Sequence, residues 1–275
     1  MSDGSLAAGT ALAINEVTTI ELAAGNTYSA QGGVLDMQTS VGSIQVGGAG
    51  TVTVSTSNDN AIQLADIVDA GDSNKTDLSV SGSGNVNLAS INLNDATVDG
   101  DLALSLDTEG NGVRTLDTAG GLLNVGLLSI TGVGGDDQVT LGGDVVASGA
   151  VTANVLDRLE LPDDVDIIGG SIDLTNGVAA VSLEGITSNV LRATAGDILA
   201  SDITSNAAEL VLNATGAVTV GSFAGGGDLR VLDSDSTAFN GAVTAGTVTL
   251  SDSSKRNHVQ WRYDHQLAHD REPAL

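Results

Sequence analysis

The chain has 275 residues, of which 35 are acidic and nine are lysine or arginine, and its formal net charge is −26 at pH 7. A surface this acidic repels the phosphates of nucleic acids, so we expect no nucleic-acid partner. Aromatic residues make up only 2% of the chain and cysteine is absent, which excludes a disulfide scaffold and thiolate metal sites. With so few large side chains, a narrow core filled by aliphatic residues is favoured over a thick globular core.

No targeting or membrane-spanning segment is predicted. The N-terminal residues include neither the basic stretch nor the apolar stretch of a signal peptide. No apolar run approaches the roughly 18 residues that a transmembrane helix needs, so we expect no membrane span.

The first half of the chain is predicted to consist of short strands separated by small polar residues. Residues 17–22 alternate as a strand with one buried face. Residues 42–54 indicate two strands around a glycine corner, and residues 61–68 indicate one further strand. Residues 76–143 are predicted to form similar coils of about 21 to 25 residues each.

A repeat with a period of about 19 residues is clearest over positions 171–250. In each repeat two apolar residues flank one variable residue, which predicts a short strand with one buried face. Such a unit cannot bury its own apolar face, so it must stack on a neighbouring copy. The first apolar column is Ile172, Leu191, Leu210, Leu229 and Val248, and the second is Leu174, Ala193, Leu212, Val231 and Leu250.

These repeats predict an all-β chain that winds as a parallel β-solenoid, with coils of about 19–25 residues and about three short sheets. In this register Leu191, Leu210 and Leu229 form one buried line, and Asp173 lies beside Arg192 on an exposed face. About twelve coils stacked at ~4.8 Å give a rod near 60 Å long. Leucine-rich repeats would need a fixed Asn or Cys column, which the sequence lacks. A β-sandwich normally has a large aromatic core residue, whereas the aromatic residues before residue 255 are only Tyr28, Phe223 and Phe239.

The composition changes abruptly at residue 255. Residues 255–275 hold all three histidines and the only tryptophan, and their bulk and charge do not fit a core one side chain deep. We therefore predict a solenoid domain over residues 1–254, as a fragment of a longer solenoid. Residues 255–275 form a separate tail, which is either disordered or a short capping helix. The i, i+4 spacing of His265 and His269 is compatible with a metal-binding pair, but an unstructured tail is the preferred interpretation.

Acidic corners are the candidate metal sites. Residues 132–139 resemble the glycine–aspartate repeat that binds calcium in tandem copies, with Asp136 and Asp137 as ligands, although the motif occurs once. Asp233 and Asp235 form a second acidic corner with oxygen ligands of the kind that calcium accepts. Solvated acidic corners are the preferred interpretation, and calcium is the one candidate cofactor.

The sequence disfavours two other functions. A polysaccharide-processing β-helix enzyme needs clustered carboxylates with a basic partner, whereas the basic residues before residue 255 are scattered. An ice-binding face needs Thr-x-Thr triplets stacked on successive coils. Such triplets occur at Thr51 and Thr53 and at Thr247 and Thr249, but not in the repeats between them.

Two stretches, ITSNAAELVLNATGAVTVG and STAFNGAVTAGTVTLSDS, carry a family resemblance. They resemble the repeats of large bacterial surface exoproteins of the filamentous-haemagglutinin and autotransporter-passenger kind. The resemblance is specific over residues 171–254, looser over residues 19–170, and ends at residue 254. It implies a right-handed parallel β-helix, secreted to the cell surface or the extracellular space.

The resemblance implies a non-catalytic structural or adhesin-like role. The implied partners are cell-surface or matrix glycans or proteins, or neighbouring solenoid coils. Two alternatives remain open from the residues themselves: a polysaccharide-processing β-helix enzyme and a calcium-dependent binding module.

Overall fold

The chain winds into a stack of coils built from short parallel strands. A computed structural model describes residues 5–95, 97–106, 114–132 and 136–251. Within these residues there are 33 strands and no helix. Each coil contributes one strand to each of three eleven-stranded sheets, and every strand pairs with the corresponding strand of the next coil. The predicted all-β, parallel β-solenoid is therefore confirmed, and its right-handed sense stays a prediction.

The strands are numbered in chain order, and we call the three sheets A, B and C. Sheet A consists of β1 (Leu6–Ala8), β4 (Thr27–Ala30), β7 (Gly50–Thr56), β10 (Thr76–Gly82), β13 (Leu102–Leu106), β16 (Leu128–Thr131), β19 (Ala150–Asn154), β22 (Ser171–Asn176), β25 (Ile198–Ala200), β28 (Ala217–Val220) and β31 (Ser236–Phe239). Sheet B consists of β2 (Leu12–Ala13), β5 (Leu35–Met37), β8 (Ile62–Leu64), β11 (Val86–Leu88), β14 (Thr115–Asp117), β17 (Gln138–Thr140), β20 (Arg158–Leu161), β23 (Ala180–Leu183), β26 (Asp202–Ser205), β29 (Phe223–Gly225) and β32 (Val243–Thr244). Sheet C consists of β3 (Val17–Ala23), β6 (Val41–Gly47), β9 (Ile67–Asp69), β12 (Ile91–Asn92), β15 (Leu123–Val125), β18 (Val145–Ala147), β21 (Ile167–Gly169), β24 (Ser188–Ala193), β27 (Glu209–Ala214), β30 (Asp228–Leu232) and β33 (Val248–Ser251).

The core is one side chain deep from each sheet, as the composition predicts. In β10 the side chains of Leu78 and Val80 point inward and are 1% exposed, whereas Ser79 and Ser81 point outward and are half-buried. The same alternation runs through most strands, because successive side chains of a strand point to opposite faces. Aliphatic side chains from the three sheets therefore meet along the axis of the stack.

Small polar residues form the corners between sheets. Asp164 and Asp233 adopt positive φ angles of 57° and 49°, a conformation that Asp tolerates better than most residues. The single strand predicted for residues 61–68 is wrong, because these residues form β8 and β9 in different sheets. Ala65 and Asp66 make the corner between these two strands, and an apolar run alone does not reveal such a bend.

The predicted register is confirmed only in the last coils. Leu210 pairs with Leu229, and Leu229 pairs with Val248, at the expected spacing. The predicted line through Leu191 is wrong, because Leu191 pairs with Leu212. Ile172 does not belong to this column either, since it lies in sheet A.

The predicted contact between Asp173 and Arg192 is also wrong. Asp173 lies in sheet A, where it pairs with Leu199. Arg192 lies in sheet C, where it pairs with Ile168 and Asn213. The two residues are therefore on different faces of the solenoid.

Coil length varies more than predicted. Leu229 and its partner Val248 are 19 positions apart in the sequence. Ile91 and its partner Leu123 are 32 positions apart. Eleven strands stand in each sheet, rather than the expected twelve or so. At a spacing of ~4.8 Å, the first and last strands of one sheet lie about 48 Å apart.

The predictions for the tail at residues 255–275 fall outside the described residues, as does the end of the predicted solenoid domain at residues 252–254. Among the residues that are described, there is no helix of the length and apolar character needed to cross a membrane.

Candidate functional site

The most regular outward surface of the molecule lies on sheet A. Six successive strands, β4, β7, β10, β13, β16 and β19, each place two outward side chains there, and we call these twelve positions the hydroxyl face. Ten of them are serine or threonine. The first column is Thr27, Thr53, Ser79, Ala103, Ser129 and Thr152, and the second is Ser29, Ser55, Ser81, Ser105, Thr131 and Asn154.

The hydroxyl face changes the interpretation of the threonine triplet. Thr51 and Thr53 form the Thr-x-Thr triplet of the sequence, but Thr51 pairs with Asp77 on the next coil. The stacked pair begins two residues later, with Thr53 and Ser55. Pairs of Ser or Thr are thus stacked on successive coils, although Thr-x-Thr triplets themselves are not. The signal in the sequence is the alternation of Ser or Thr with aliphatic residues, as in TVTVS, DLSVS and LSIT.

Among the residues that the structure describes, almost all of these hydroxyl groups have no protein hydrogen-bond partner. Within the described residues, the hydroxyl of Thr152 makes the one side-chain hydrogen bond on the face, to the carbonyl oxygen of Leu128 at 3.4 Å. The backbone around the hydroxyls is held in the parallel ladder of sheet A. The sheet therefore fixes the positions of the Cα atoms, while the hydroxyl groups remain available to donate and accept hydrogen bonds.

The hydroxyl face is uncharged, although the chain as a whole carries a net charge of −26. Charged groups lie at one margin, where the ammonium of Lys75 bonds to the carboxylates of Asp77 and Asp101. The hydrogen bond that Lys75 donates to Asp101, together with its interaction with Asp77, raises the pKa of Lys75. These charges neutralise one another in part beside the face.

The hydroxyl face ends at β22. There Asp173 follows Thr152 in the first column, and the register between β19 and β22 shifts before Asn176. The carboxylate of Asp173 accepts hydrogen bonds from the backbone N–H and the hydroxyl of Thr175, at 3.0 and 2.6 Å. The charge of Asp173 and the irregular register therefore interrupt the hydroxyl face at this coil.

Sheet B carries a cluster of charged side chains. The guanidinium of Arg158 lies 3.2 Å from the carboxylate of Glu160 and 3.9 Å from that of Glu184. Ser182 donates a hydrogen bond to Glu184, and Asn206 donates another at 3.3 Å. The sequence predicted that basic residues are scattered, but the fold brings this arginine between two carboxylates. We call these residues the Arg158 cluster.

Aspartates at the corners between coils bind backbone N–H groups of the next coil. Asp163 accepts hydrogen bonds from the N–H groups of Ile186 and Thr187, at 3.0 and 2.7 Å. The hydroxyl and the N–H of Thr187, with the N–H of Ile186, hold the pKa of Asp163 below its ordinary value. Hydrogen bonds that favour the ionised form lower a carboxyl pKa.

Asp166 is shifted in the opposite direction. Burial raises the pKa of its carboxyl group, and the neighbouring carboxylates of Asp144 and Asp164 add to the shift. The N–H of Val190 donates to Asp166 at 2.9 Å and opposes it. Two corner aspartates of the same coil thus respond differently to pH.

The calcium candidates lie at two separate corners. Asp136 is exposed and Asp137 is 2% exposed, between β16 and β17. Asp233 and Asp235 lie between β30 and β31. Over residues 5–251, apart from the short undescribed gaps, no group of three or more His, Cys, Asp or Glu side chains is placed to hold a metal ion. Calcium binding at these four aspartates stays a prediction.

Comparisons of the chain with protein-family models, with curated proteins and with solved structures gave no match. The fold itself defines the class, which is a β-helix repeat protein.

Proposed function

We propose that this chain is a non-catalytic, adhesin-like repeat segment of a secreted bacterial cell-surface exoprotein. The observation that carries the proposal is the unbroken stack of three eleven-stranded sheets. Such a stack extends in one direction and presents long outward faces, since each coil contacts only its neighbours. Stalks and adhesins need this geometry, because they hold a binding surface away from the cell.

The outward surface supports the same role. The excess of acidic residues keeps an extended protein soluble and discourages association between like-charged copies. The resemblance of residues 171–254 to large surface exoproteins points in the same direction. The partners proposed for this role are cell-surface or matrix glycans or proteins.

Protease treatment of intact cells tests the proposed location. The producing bacterium is treated with a protease that does not enter cells, and the chain is detected with an antibody against the folded solenoid. We expect the signal to disappear from intact cells or to be found in the medium, while a cytoplasmic marker protein survives. A signal that is protected until the cells are lysed would contradict a surface role.

A second candidate function, a polysaccharide-processing enzyme, would use the Arg158 cluster, which unites two carboxylates and a cation on one face. In the structure these groups are bonded to one another, which leaves the arginine little charge to offer an acidic substrate. We expect no turnover of acidic polysaccharides. Release of new reducing ends by the intact chain, abolished by Glu184→Gln, would establish the enzyme instead.

A further inference from the structure

We propose that the hydroxyl face on sheet A binds the surface of ice, with stacked pairs of Ser or Thr in the place of stacked Thr-x-Thr triplets. The proposal rests on the register, charge and hydrogen bonding of this face, and it is independent of whether the chain is a surface exoprotein. Three properties of the face carry the argument: its repeat in two directions, the availability of its hydroxyl groups, and its lack of charge.

The spacing of the hydroxyl groups follows from the parallel pairing. Thr53 pairs with Thr27 and Ser79, and Ser55 pairs with Ser29 and Ser81. Neighbouring hydroxyl-bearing positions in one column are therefore about 4.8 Å apart, and the two columns are about 6.7 Å apart along the strand. The face is a two-dimensional lattice with nearly the same chemistry at each position.

This column spacing is close to a repeat of hydrogen-bonded water. Two water molecules that bond to a common third at about 2.75 Å, in tetrahedral geometry, lie about 4.5 Å apart. Waters bound to successive hydroxyls of one column are thus held near the separation of second neighbours in ice. Between neighbouring coils the two repeats differ by about 0.3 Å, which is within the spread of hydrogen-bond lengths.

The hydroxyl groups are free to order such waters. Among the described residues the face makes a single side-chain hydrogen bond to protein, from Thr152. Ordered waters bonded to a surface are nearly as favourable in enthalpy as direct hydrogen bonds. A layer of water aligned by the rigid sheet can therefore merge with a growing ice surface, and the methyl groups of Thr27, Thr53 and Thr131 add apolar contact.

The charge pattern distinguishes this face from an ordinary solvated surface. Outward positions on sheet B include Asp36, Asp117 and Glu160, as expected in a chain with 35 acidic residues. The twelve positions of the hydroxyl face carry no charge. A charged side chain would hold its own hydration shell and interrupt a water lattice. Its exclusion from both columns over six successive coils fits an ice surface, and the charge of Asp77, beside the face on β10, is paired with Lys75.

Other occupants fit the face less well. Protein interfaces are enriched in aromatic residues, Met and Arg and depleted of Ser, whereas this face is rich in serine and has no aromatic side chain. Small-molecule sites are concave and largely apolar, but this face is a sheet surface lined by hydroxyl groups. The remaining extended surface that the face could bind is a crystalline carbohydrate, and the experiment below tests it in parallel.

The test uses the full chain and substitutions on two different sheets. Ser79→Lys places a long cation in the centre of the hydroxyl face. Thr140→Lys adds the same charge to the outward face of sheet B, where Thr140 is also half-buried, and serves as the matched control. Circular dichroism melts confirm that both variants fold as the parent does. Should Ser79→Lys fail to fold, Ser129→Asn, which alters the hydroxyl lattice without adding a charge, replaces it.

Two readouts are measured: inhibition of ice recrystallisation and partition of labelled protein into a slowly growing ice hemisphere. We expect the parent chain and Thr140→Lys to be active within about twofold of each other, and Ser79→Lys to lose activity by at least tenfold. A folded parent chain that is excluded from ice, or equal loss in both variants, would overturn the proposal. Sedimentation with crystalline cellulose and chitin runs in parallel, and binding there that Ser79→Lys abolishes, without ice activity, would assign the face to carbohydrate instead.

Discussion

Single residues of this chain are assigned to the inside or the outside by alternation alone. Leu210 in β27 is 1% exposed and packs in the core, while its neighbour Val211 points outward. The core is only one side chain deep, so a polar group buried there relies on backbone groups at the corners, as Asn189 does. Polar substitutions should therefore have very different costs at adjacent positions of one strand.

We expect Leu210→Asp to lower the free energy of unfolding by several kcal/mol, because it buries an unpaired carboxylate. Val211→Asp introduces the same group on the outward side of the same strand, and it should cost less than about 1 kcal/mol. Urea denaturation followed by circular dichroism measures both values. Similar losses in the two variants would contradict the assignment of inside and outside.

The corner aspartates predict a dependence on pH with opposite signs. The pKa of Asp163 is lowered in the folded state, so its contribution to stability is present above the ordinary carboxyl pKa and is lost as the pH falls through the lowered value. The pKa of Asp166 is raised, so its contribution is present below the ordinary pKa and is lost as the pH rises through the raised value.

Replacement of each carboxyl by an amide checks these signs. We expect Asp163→Asn to lower the melting temperature at pH 7 and to have little effect at pH 3. Asp166→Asn keeps an oxygen that can accept the N–H of Val190 and removes a partly buried charge, so it should leave the melting temperature at pH 7 unchanged or raise it. Melts of both variants across pH 3 to 7 provide the measurement, and a large loss for Asp166→Asn at pH 7 would show that its charge stabilises the fold.

At the scale of the strand, the register follows from the corners rather than from the repeat length. Arg192 lies beside Asn213 on the outer face of sheet C, and Val211 lies beside Val190. A strictly uniform repeat, of the length seen between Leu210 and Leu229, would instead place Arg192 beside Val211. The two registers differ by two positions along the strand and therefore predict different neighbours on the same face.

Engineered cysteines can distinguish these registers, because the chain contains no cysteine of its own. Directly paired positions on parallel neighbours are about 4.8 Å apart, within the Cα separation that a disulfide spans, whereas a diagonal displaced by two residues exceeds about 7 Å. We expect Arg192→Cys with Asn213→Cys to form an intramolecular disulfide under mild oxidation, and Arg192→Cys with Val211→Cys to remain reduced. Thiol titration of the unfolded, oxidised proteins reads out the result, and cross-linking of the second pair alone would restore the uniform repeat.

The sequence predicts the class of fold but not the lateral alignment of its coils. Alternation in segments such as DLSVS shows which residues point inward, and this was enough to predict a solenoid. Asn189 explains part of the error in register. It occupies the core position that Leu210 fills in the next coil, and its side-chain amide donates to the carbonyl oxygens of Pro162 and Val165 at 3.0 and 2.9 Å. A search for aliphatic triplets does not find a polar residue in an apolar column, so it assigns the wrong register to this strand.

The candidate surface was missed for a related reason. Its hydroxyl pairs are separated by corners of unequal length, so the interval from Ser55 to Ser81 differs from the interval from Ser81 to Ser105. Only the pairing of strands brings them into columns. The sequence shows which residues carry hydroxyl groups. Whether those residues align in columns depends on the number of residues in each coil.

At the scale of the whole molecule, charge opposes the compact state. A net charge of −26 on one narrow stack produces repulsion between acidic side chains of successive coils, and dissolved salt screens it over a Debye length of about 8–10 Å near physiological ionic strength. The unfolded chain keeps the same charges farther apart, so screening should stabilise the folded state more than the unfolded state.

We therefore expect the melting temperature to rise by several degrees between about 20 mM and 500 mM NaCl, with roughly 2–4 °C for each kcal/mol gained in a chain of this size. A comparison of NaCl, MgCl2 and CaCl2 at equal ionic strength separates screening from ion binding.

If salt stabilises the solenoid by screening alone, the two divalent salts raise the melting temperature equally. A further rise with CaCl2 only, removed by Asp136→Asn or by Asp233→Asn, would show a calcium site at that corner and favour the calcium-dependent binding module. Equal melting temperatures at low and high salt would mean that the repulsion is already relieved within the folded chain, through pairs such as Arg230 with Glu209, whose charged groups lie 3.0 Å apart.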